Sequence, residues 1–102
     1  MPVVLYQKMP PEVTLEMIQA VTEEVNARND PPEGLIVHTV ISMGDRLGIV
    51  DVWETAEAYE KFGETRLGPA FAAVGQRMGF DMSQAPEPET QLLDALDIVR
   101  GS

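Results

Sequence analysis

The chain has 102 residues, the size of one domain, and we treat residues 1–102 as a single domain. It carries 17 acidic and 7 basic residues, for a formal net charge of −10. That charge opposes binding to nucleic acid and to anionic membranes, because both present negative phosphate groups. The absence of cysteine excludes disulfides, thiolate metal sites and a cysteine nucleophile. The sequence has no signal peptide pattern and no membrane-length apolar run, which predicts a cytoplasmic protein.

The first third of the chain predicts a strand followed by a helix. Residues 2–8 alternate loosely between two faces, as in a strand. Thr14 is a good helix N-cap, and apolar residues recur after it at spacings of three and four. We expect this helix to stop by residues 29–30, because the prolines that follow disfavour helical backbone before them.

Residues 35–41 and 46–54 predict two strands joined by a hairpin turn at residues 43–46. If residues 43 and 46 pair, the register follows from the turn. The expected pairs are Val40 with Ile49, His38 with Asp51, and Ile36 with Trp53. One face of the hairpin then carries these six residues, and the other face is almost wholly apolar.

The second half of the chain predicts more helix and a last strand. Thr55 is an N-cap, a break is expected near residues 66–68, and Pro69 begins a further helical stretch that Gly79 ends. Residues 81–89 are expected to form a surface loop. The spacing of apolar residues in 90–99 fits either a strand or a short helix. We assign these residues to a strand because the preceding elements leave one sheet edge to fill.

The predicted order β-α-β-β-α-β is the ferredoxin-like α+β arrangement, an antiparallel sheet with helices on one face. The other face of the sheet is apolar and needs a cover. A second copy of the chain is the simplest one, so the sequence predicts a homodimer.

Three segments carry a resemblance to a known superfamily: residues 1–4 (MPVV), 50–59 (VDVWETAEAY) and 68–73 (GPAFAA). With the element order, they resemble the dimeric α+β barrel proteins, which include antibiotic-biosynthesis monooxygenases and haem-degrading monooxygenases. Residues 30–35, 51–54 and 66–70 are similar to a bacterial subgroup with no assigned activity. The resemblance implies two protomers with their sheets face to face, and a small-molecule pocket between each sheet and its helices.

The resemblance also bears on cofactors. Haem-degrading members have an Asn late in the first strand, a Trp at the end of the third and a haem-ligating His on the last helix. Here Trp53 matches, whereas Gln7 and Val74 stand at the other two positions. Valine cannot ligate iron, so the resemblance argues against haem degradation. We expect no cofactor and no metal, since the chain has one histidine and no cluster of carboxylates with ligand spacing.

His38 and Asp51 are the candidate catalytic pair. A carboxylate that faces an imidazole fixes the tautomer of the ring and stabilises its charge, as proton transfer requires. Trp53 would give the pocket a flat apolar wall. Gln7, Phe71 and Val74 are the further candidates for substrate binding.

Three functions remain open from the sequence. The first is a small cofactor-independent enzyme, a monooxygenase, isomerase or cyclase, that uses His38 and Asp51 on an apolar or aromatic substrate. The second is a protein that binds such a ligand without chemistry. The third is a dimeric accessory domain whose pocket is filled by its own side chains. The first two need an open cavity and the third does not.

Overall fold

The computed structural model describes residues 1–79 and 88–101. The elements in chain order are β1 (Val3–Lys8), α1 (Leu15–Glu24), β2 (Leu35–Ser42), β3 (Leu47–Trp53), α2 (Ala56–Phe62), a π-helical turn (Gly63–Leu67), α3 (Gly68–Met78) and β4 (Glu89–Asp94). No helix in these two ranges is long and apolar enough to cross a membrane.

The four strands form one antiparallel sheet in the order β2-β3-β1-β4. Because β1 lies between β3 and β4, the first and last strands of the chain are neighbours, as the ferredoxin-like arrangement requires. The helices cover one face of this sheet, which we call the inner face. The predicted fold class is therefore confirmed.

Helix α1 begins where the sequence predicts and ends earlier. The Thr14 hydroxyl accepts a hydrogen bond from the Met17 amide at 3.2 Å, which caps the first turn. The helix stops at Glu24, before the limit expected at residues 29–30. Asn26 has a φ of 56°, and a residue in this left-handed conformation cannot continue a right-handed helix.

The hairpin has the predicted register except at its open end. The Met43 amide donates to the Arg46 carbonyl at 2.8 Å, and His38 pairs with Asp51. Val40 also pairs with Ile49, as expected. The expected pair of Ile36 with Trp53 is wrong: a bulge at Ile36 places Leu35 opposite Trp53 instead.

The predicted break before α3 is a continuous but wider helical turn. The Gly68 amide donates to the Gly63 carbonyl, which gives residues 63–67 the π-helical pattern. Pro69 has no N–H for the Thr65 carbonyl, so the regular ladder is interrupted at this point in any case. Gly79 ends α3 with a φ of 80°, and its amide donates to the Gly75 carbonyl at 2.9 Å.

Strand β4 is shorter than the sequence predicts. It covers Glu89–Asp94 and pairs with β1, and the chain beyond Asp94 leaves the ladder. Leu96 and Val99, which the strand prediction includes, are 88% and 90% exposed. Of the predicted surface loop at 81–89, residues 81–87 lie outside the described part of the chain.

Two buried clusters hold the helices to each other and to the sheet. Val21 of α1 and Val25, the residue that follows α1, pack against Ala70 and Val74 of α3. On the inner face of the sheet, Val3, Leu5 and Trp53 form the second cluster. Phe62 packs against both clusters, so this one ring connects the helix pair to the sheet.

The outer face of the sheet carries an uncharged surface. The register aligns residues in rows that cross the strands: Val37, Val52, Val4 and Leu93 in one row, and Thr39, Val50, Tyr6 and Gln91 in the next. Val37 and Leu93 are 46% and 52% exposed. Charged side chains enter in a third row, where Lys8 and Glu89 stand 3.9 Å apart.

Gly34 is the glycine whose replacement should cost most stability. It has a φ of 86°, and a Cβ atom built on it would lie 2.6 Å from the Ala58 Cβ. Gly44 has a similar φ of 94° with no atom within 4 Å, so it serves as the matched control. We expect Gly34→Ala to lower the free energy of unfolding by about 3 kcal/mol and Gly44→Ala by about 1 kcal/mol, measured by urea denaturation. Equal losses of stability in the two variants would show that α2, which carries Ala58, moves to make room for the methyl group added at residue 34.

Candidate functional site

An apolar cavity of about 470 Å³ lies between the inner face of the sheet and the helices. We call it the inner cavity. Its size suits a small organic ligand. Aliphatic, aromatic and methionine side chains make up most of its lining, among them Leu5, Met9, Val13, Met17, Ile18, Leu35, Ile49, Phe62, Leu67 and Phe71. Among the described lining residues, Asp51, His38 and Tyr59 are the ionisable ones, and none is Lys, Arg or Glu.

Asp51 lies on the sheet side of this cavity and is 6% exposed. One carboxylate oxygen is 2.7 Å from His38 Nδ1, and the other accepts a hydrogen bond from Trp53 Nε1 at 3.3 Å. His38 reaches it across the β2–β3 pair, and Trp53 reaches it along β3, since side chains two residues apart share a face. Both oxygens of the buried carboxylate therefore have a donor.

This geometry determines which ring nitrogen of His38 carries a proton. An ionised carboxylate can only accept hydrogen bonds, so the Nδ1 atom beside Asp51 carries a proton. In the neutral ring, Nε2 then has the free lone pair. The His38 side chain is 31% exposed and contributes to the cavity lining, which makes Nε2 available as a proton acceptor. The pair can thus act as a general base with a fixed tautomer.

Tyr59 also belongs to this site, although the sequence did not single it out as a candidate. Its ring meets Trp53 edge-on, with the ring centroids 5.7 Å apart, and its side chain lines the cavity. Burial raises the pKa of Tyr59 above its ordinary value, and the negative charge of Asp51 raises it further. A signal was present in the sequence: Tyr59 falls in the first turn and a half of the helix that follows Trp53 directly.

The proposed substrate-binding residues divide into two groups. Trp53, Gln7 and Phe71 line the inner cavity, together with the pair His38 and Asp51. Gln7 donates to the Thr90 hydroxyl at 3.2 Å, which ties it to β4. Val74 differs from the sequence-based expectation, because it lies fully buried between α1 and α3 and is not part of the described cavity lining.

The described residues offer little to a metal ion. Within residues 1–79 and 88–101, there is no group of three or more His, Cys, Asp or Glu side chains that could hold a metal. The Nδ1 atom of the only histidine is engaged by Asp51.

No protein-family model matches the chain, and no curated protein sequence matches it. Solved structures do share its fold. Rv0793 from Mycobacterium tuberculosis is 16% identical, with a TM-score of 0.63 over 98% of this chain and 100% of that one. SnoaB from Streptomyces nogalater, described as a cofactor-independent oxygenase, is 14% identical, with a TM-score of 0.64 over 98% of both chains.

A third structure, a proposed antibiotic biosynthesis monooxygenase from Caulobacter crescentus, is 21% identical. Its TM-score is 0.60 over 94% of this chain and 89% of that one. The chain therefore shares its ferredoxin-like α+β fold with these three structures over nearly its whole length.

The position of Tyr59 predicts a loss of stability at alkaline pH. A raised pKa in the folded state means that the unfolded chain releases this proton first, so unfolding becomes easier as pH rises above about 10. Below that pH the contribution is fully present. We expect Tyr59→Phe to reduce the alkaline loss in urea unfolding experiments between neutral pH and pH of roughly 11. Tyr6→Phe, which alters the outer face, is the control. If the two variants lose stability with the same pH profile as the wild type, Tyr59 is not the responsible group.

Proposed function

We propose that the protein is a cofactor-independent enzyme that removes a proton from a small, flat, apolar substrate and uses His38 as the base. The observation that carries the proposal is the 2.7 Å contact between His38 and the buried Asp51 at the sheet side of the apolar cavity. Asp51 holds the imidazole in the tautomer that leaves Nε2 free to accept a proton, and it stabilises the imidazolium that results.

The cavity supports a neutral substrate. Among its described lining residues no Lys or Arg side chain could anchor a carboxylate or phosphate group. Trp53 and Phe71 present aromatic surfaces, and Met9 and Met17 present flexible thioethers that adapt to different shapes. An aromatic or polyketide-like molecule with an acidic C–H or O–H group fits this chemistry.

Oxygenation is the reaction we favour among those open to such a site. Loss of a proton from an activated methylene group gives a delocalised carbanion, which reacts with dioxygen without a metal or flavin. The shared fold with SnoaB, described as a cofactor-independent oxygenase, supports this choice. Fold alone does not carry an activity, so the proton-transfer pair remains the main argument.

A direct test uses anthrone, a tricyclic ketone with an acidic methylene group. The balanced reaction consumes one dioxygen per anthrone and gives anthraquinone and water, so oxygen uptake and quinone absorbance both report turnover. We expect His38→Ala and Asp51→Asn to lower the rate by about a hundredfold or more, since general base catalysis contributes that much.

Binding is measured separately with N-phenyl-1-naphthylamine, a neutral aromatic probe that accepts energy from the single tryptophan. We expect both variants to keep its affinity within about twofold, because they change the proton acceptor and not the apolar walls. Trp53→Phe is the matched control; because it lacks the energy donor, its binding is followed by the probe's own fluorescence under direct excitation. It should weaken binding of the probe more than it slows turnover of bound anthrone. Binding without turnover by the wild type would instead support a ligand-binding protein.

We also propose that two copies associate through the outer faces of their sheets. The two uncharged rows that cross the sheet would otherwise leave Val37 and Leu93 in water. A face-to-face dimer would bury both rows and place the Lys8–Glu89 ion pair at the rim. The sheet of each copy would then have apolar contacts on both sides.

Val52 lies at the centre of this surface, opposite Val37 on one side and Val4 on the other. We expect Val52→Lys to raise the dimer dissociation constant at least a hundredfold, because two unpaired charges would be buried in a symmetric interface. Native mass spectrometry and light scattering give the oligomeric state. Gln19→Lys, on the exposed side of α1, adds the same charge and should leave the dimer intact. A monomeric wild type would refute the association.

A further inference from the structure

A second, more polar cavity of about 650 Å³ lies beside the inner cavity. We call it the outer groove. Residues 30–34, which connect α1 to β2, form one side, and α2 and the π-helical turn form the other. Pro32 and Phe62 belong to the lining of both the inner cavity and the outer groove. These two side chains are therefore the partition between them.

Arg66 of the π-helical turn holds both sides of that partition. Its guanidinium donates to the carbonyl oxygens of Val25 and, at 2.8 Å, Asp30, on the connection that leads to Pro32. The Asp30 carboxylate lies 3.8 Å away. The same guanidinium lies over the Phe62 ring, 5.8 Å from its centroid.

The Phe62 ring in turn reaches the proposed catalytic site. Its centroid is 5.4 Å from that of Trp53, whose indole N–H is bonded to Asp51. The wider winding of the π-helical turn matters here, because it sets the angular position of Arg66 relative to Phe62, four residues earlier. Arg66 thus connects the Phe62 ring, which closes the inner cavity, to carbonyl oxygens that lie 41 and 36 residues earlier in the chain.

We propose that ligands reach the inner cavity from the outer groove, past Phe62 and Pro32, and that Arg66 is the positioning residue that keeps this passage narrow. Arg66 acts through Phe62 and does not touch the ligand in the inner cavity, whose lining it is not part of. The inference rests on the proposed function in one respect, that the inner cavity admits a ligand. It predicts a defined kinetic signature, in which Arg66 sets the rates of binding and release and leaves the affinity nearly unchanged.

The first test is stopped-flow binding of N-phenyl-1-naphthylamine, followed by energy transfer from Trp53. We expect Arg66→Ala to raise the association and dissociation rates together by about tenfold, as loss of the cation–π contact and two hydrogen bonds would allow. Arg66→Lys keeps the charge but cannot bridge both carbonyls, so we expect about a threefold rise. Unchanged rates in both variants, or a weaker affinity at an unchanged association rate, would overturn the proposal.

Arg77→Ala is the matched control. It removes another arginine that joins α3 to α1, through a 2.9 Å contact with Glu24, and it lies outside the lining of both cavities. A merely structural effect of losing an interhelical ion pair should appear in this variant as well. The proposal requires its rates to match those of the wild type.

The second test needs no ligand and separates this inference from the proposed function. Trp53 is 1% exposed, so acrylamide should quench its fluorescence only weakly in the wild type. Opening the partition should increase quenching in Arg66→Ala, or in Arg66→Lys if the alanine variant does not fold, while Arg77→Ala stays at the wild-type level. Equal quenching in all folded variants overturns the passage. If the wild type binds no probe but quenching rises as expected, the passage stands and the substrate proposal fails.

Discussion

The buried carboxylate of Asp51 is the constraint on which the rest of the inner face depends. A carboxylate that is 6% exposed is stable only with donors for both oxygens, and His38 and Trp53 supply them. This requirement fixes the β2–β3 register, because a shift of one residue would turn His38 to the outer face. It also fixes the indole, and through the indole the positions of Tyr59 and Phe62. The same contacts that satisfy a buried charge therefore shape the cavity and orient its only imidazole.

Much of the fold could be predicted because it depends on local pattern. The cap at Thr14, the glycine at the end of α3 and the tight turn before β3 are each encoded by a few adjacent residues. The turn also gave the pairing of His38 with Asp51, so the centre of the candidate site could be placed from the sequence. The bulge at Ile36 could not be predicted from the sequence, since the residues around it are all suitable for a regular strand.

The parts of the site that the sequence did not indicate depend on contacts between distant residues. Arg66 bonds to carbonyls more than thirty residues away, and no spacing rule connects such positions. Val74 shows a different limit: the sequence places it on the last helix as a candidate for substrate binding, but a helix in this layer meets both a neighbouring helix and the sheet. Period alone cannot say which of the two neighbours a given apolar residue touches.

The bulge in β2 allows two residues at an odd spacing, Leu35 and His38, to face the same side of the sheet. Leu35 and His38 are three positions apart, so a regular strand would turn one of them away from the helices. The extra residue at Ile36 shifts the alternation once, and both side chains then face inward, Leu35 beside Trp53 and His38 beside Asp51. Strand β2 is therefore two regular segments joined by one additional residue, and each segment keeps its own alignment with β3. Removal of one residue between Leu35 and His38 preserves both alignments, whereas removal of a residue elsewhere within β2 would shift one segment by one position relative to β3.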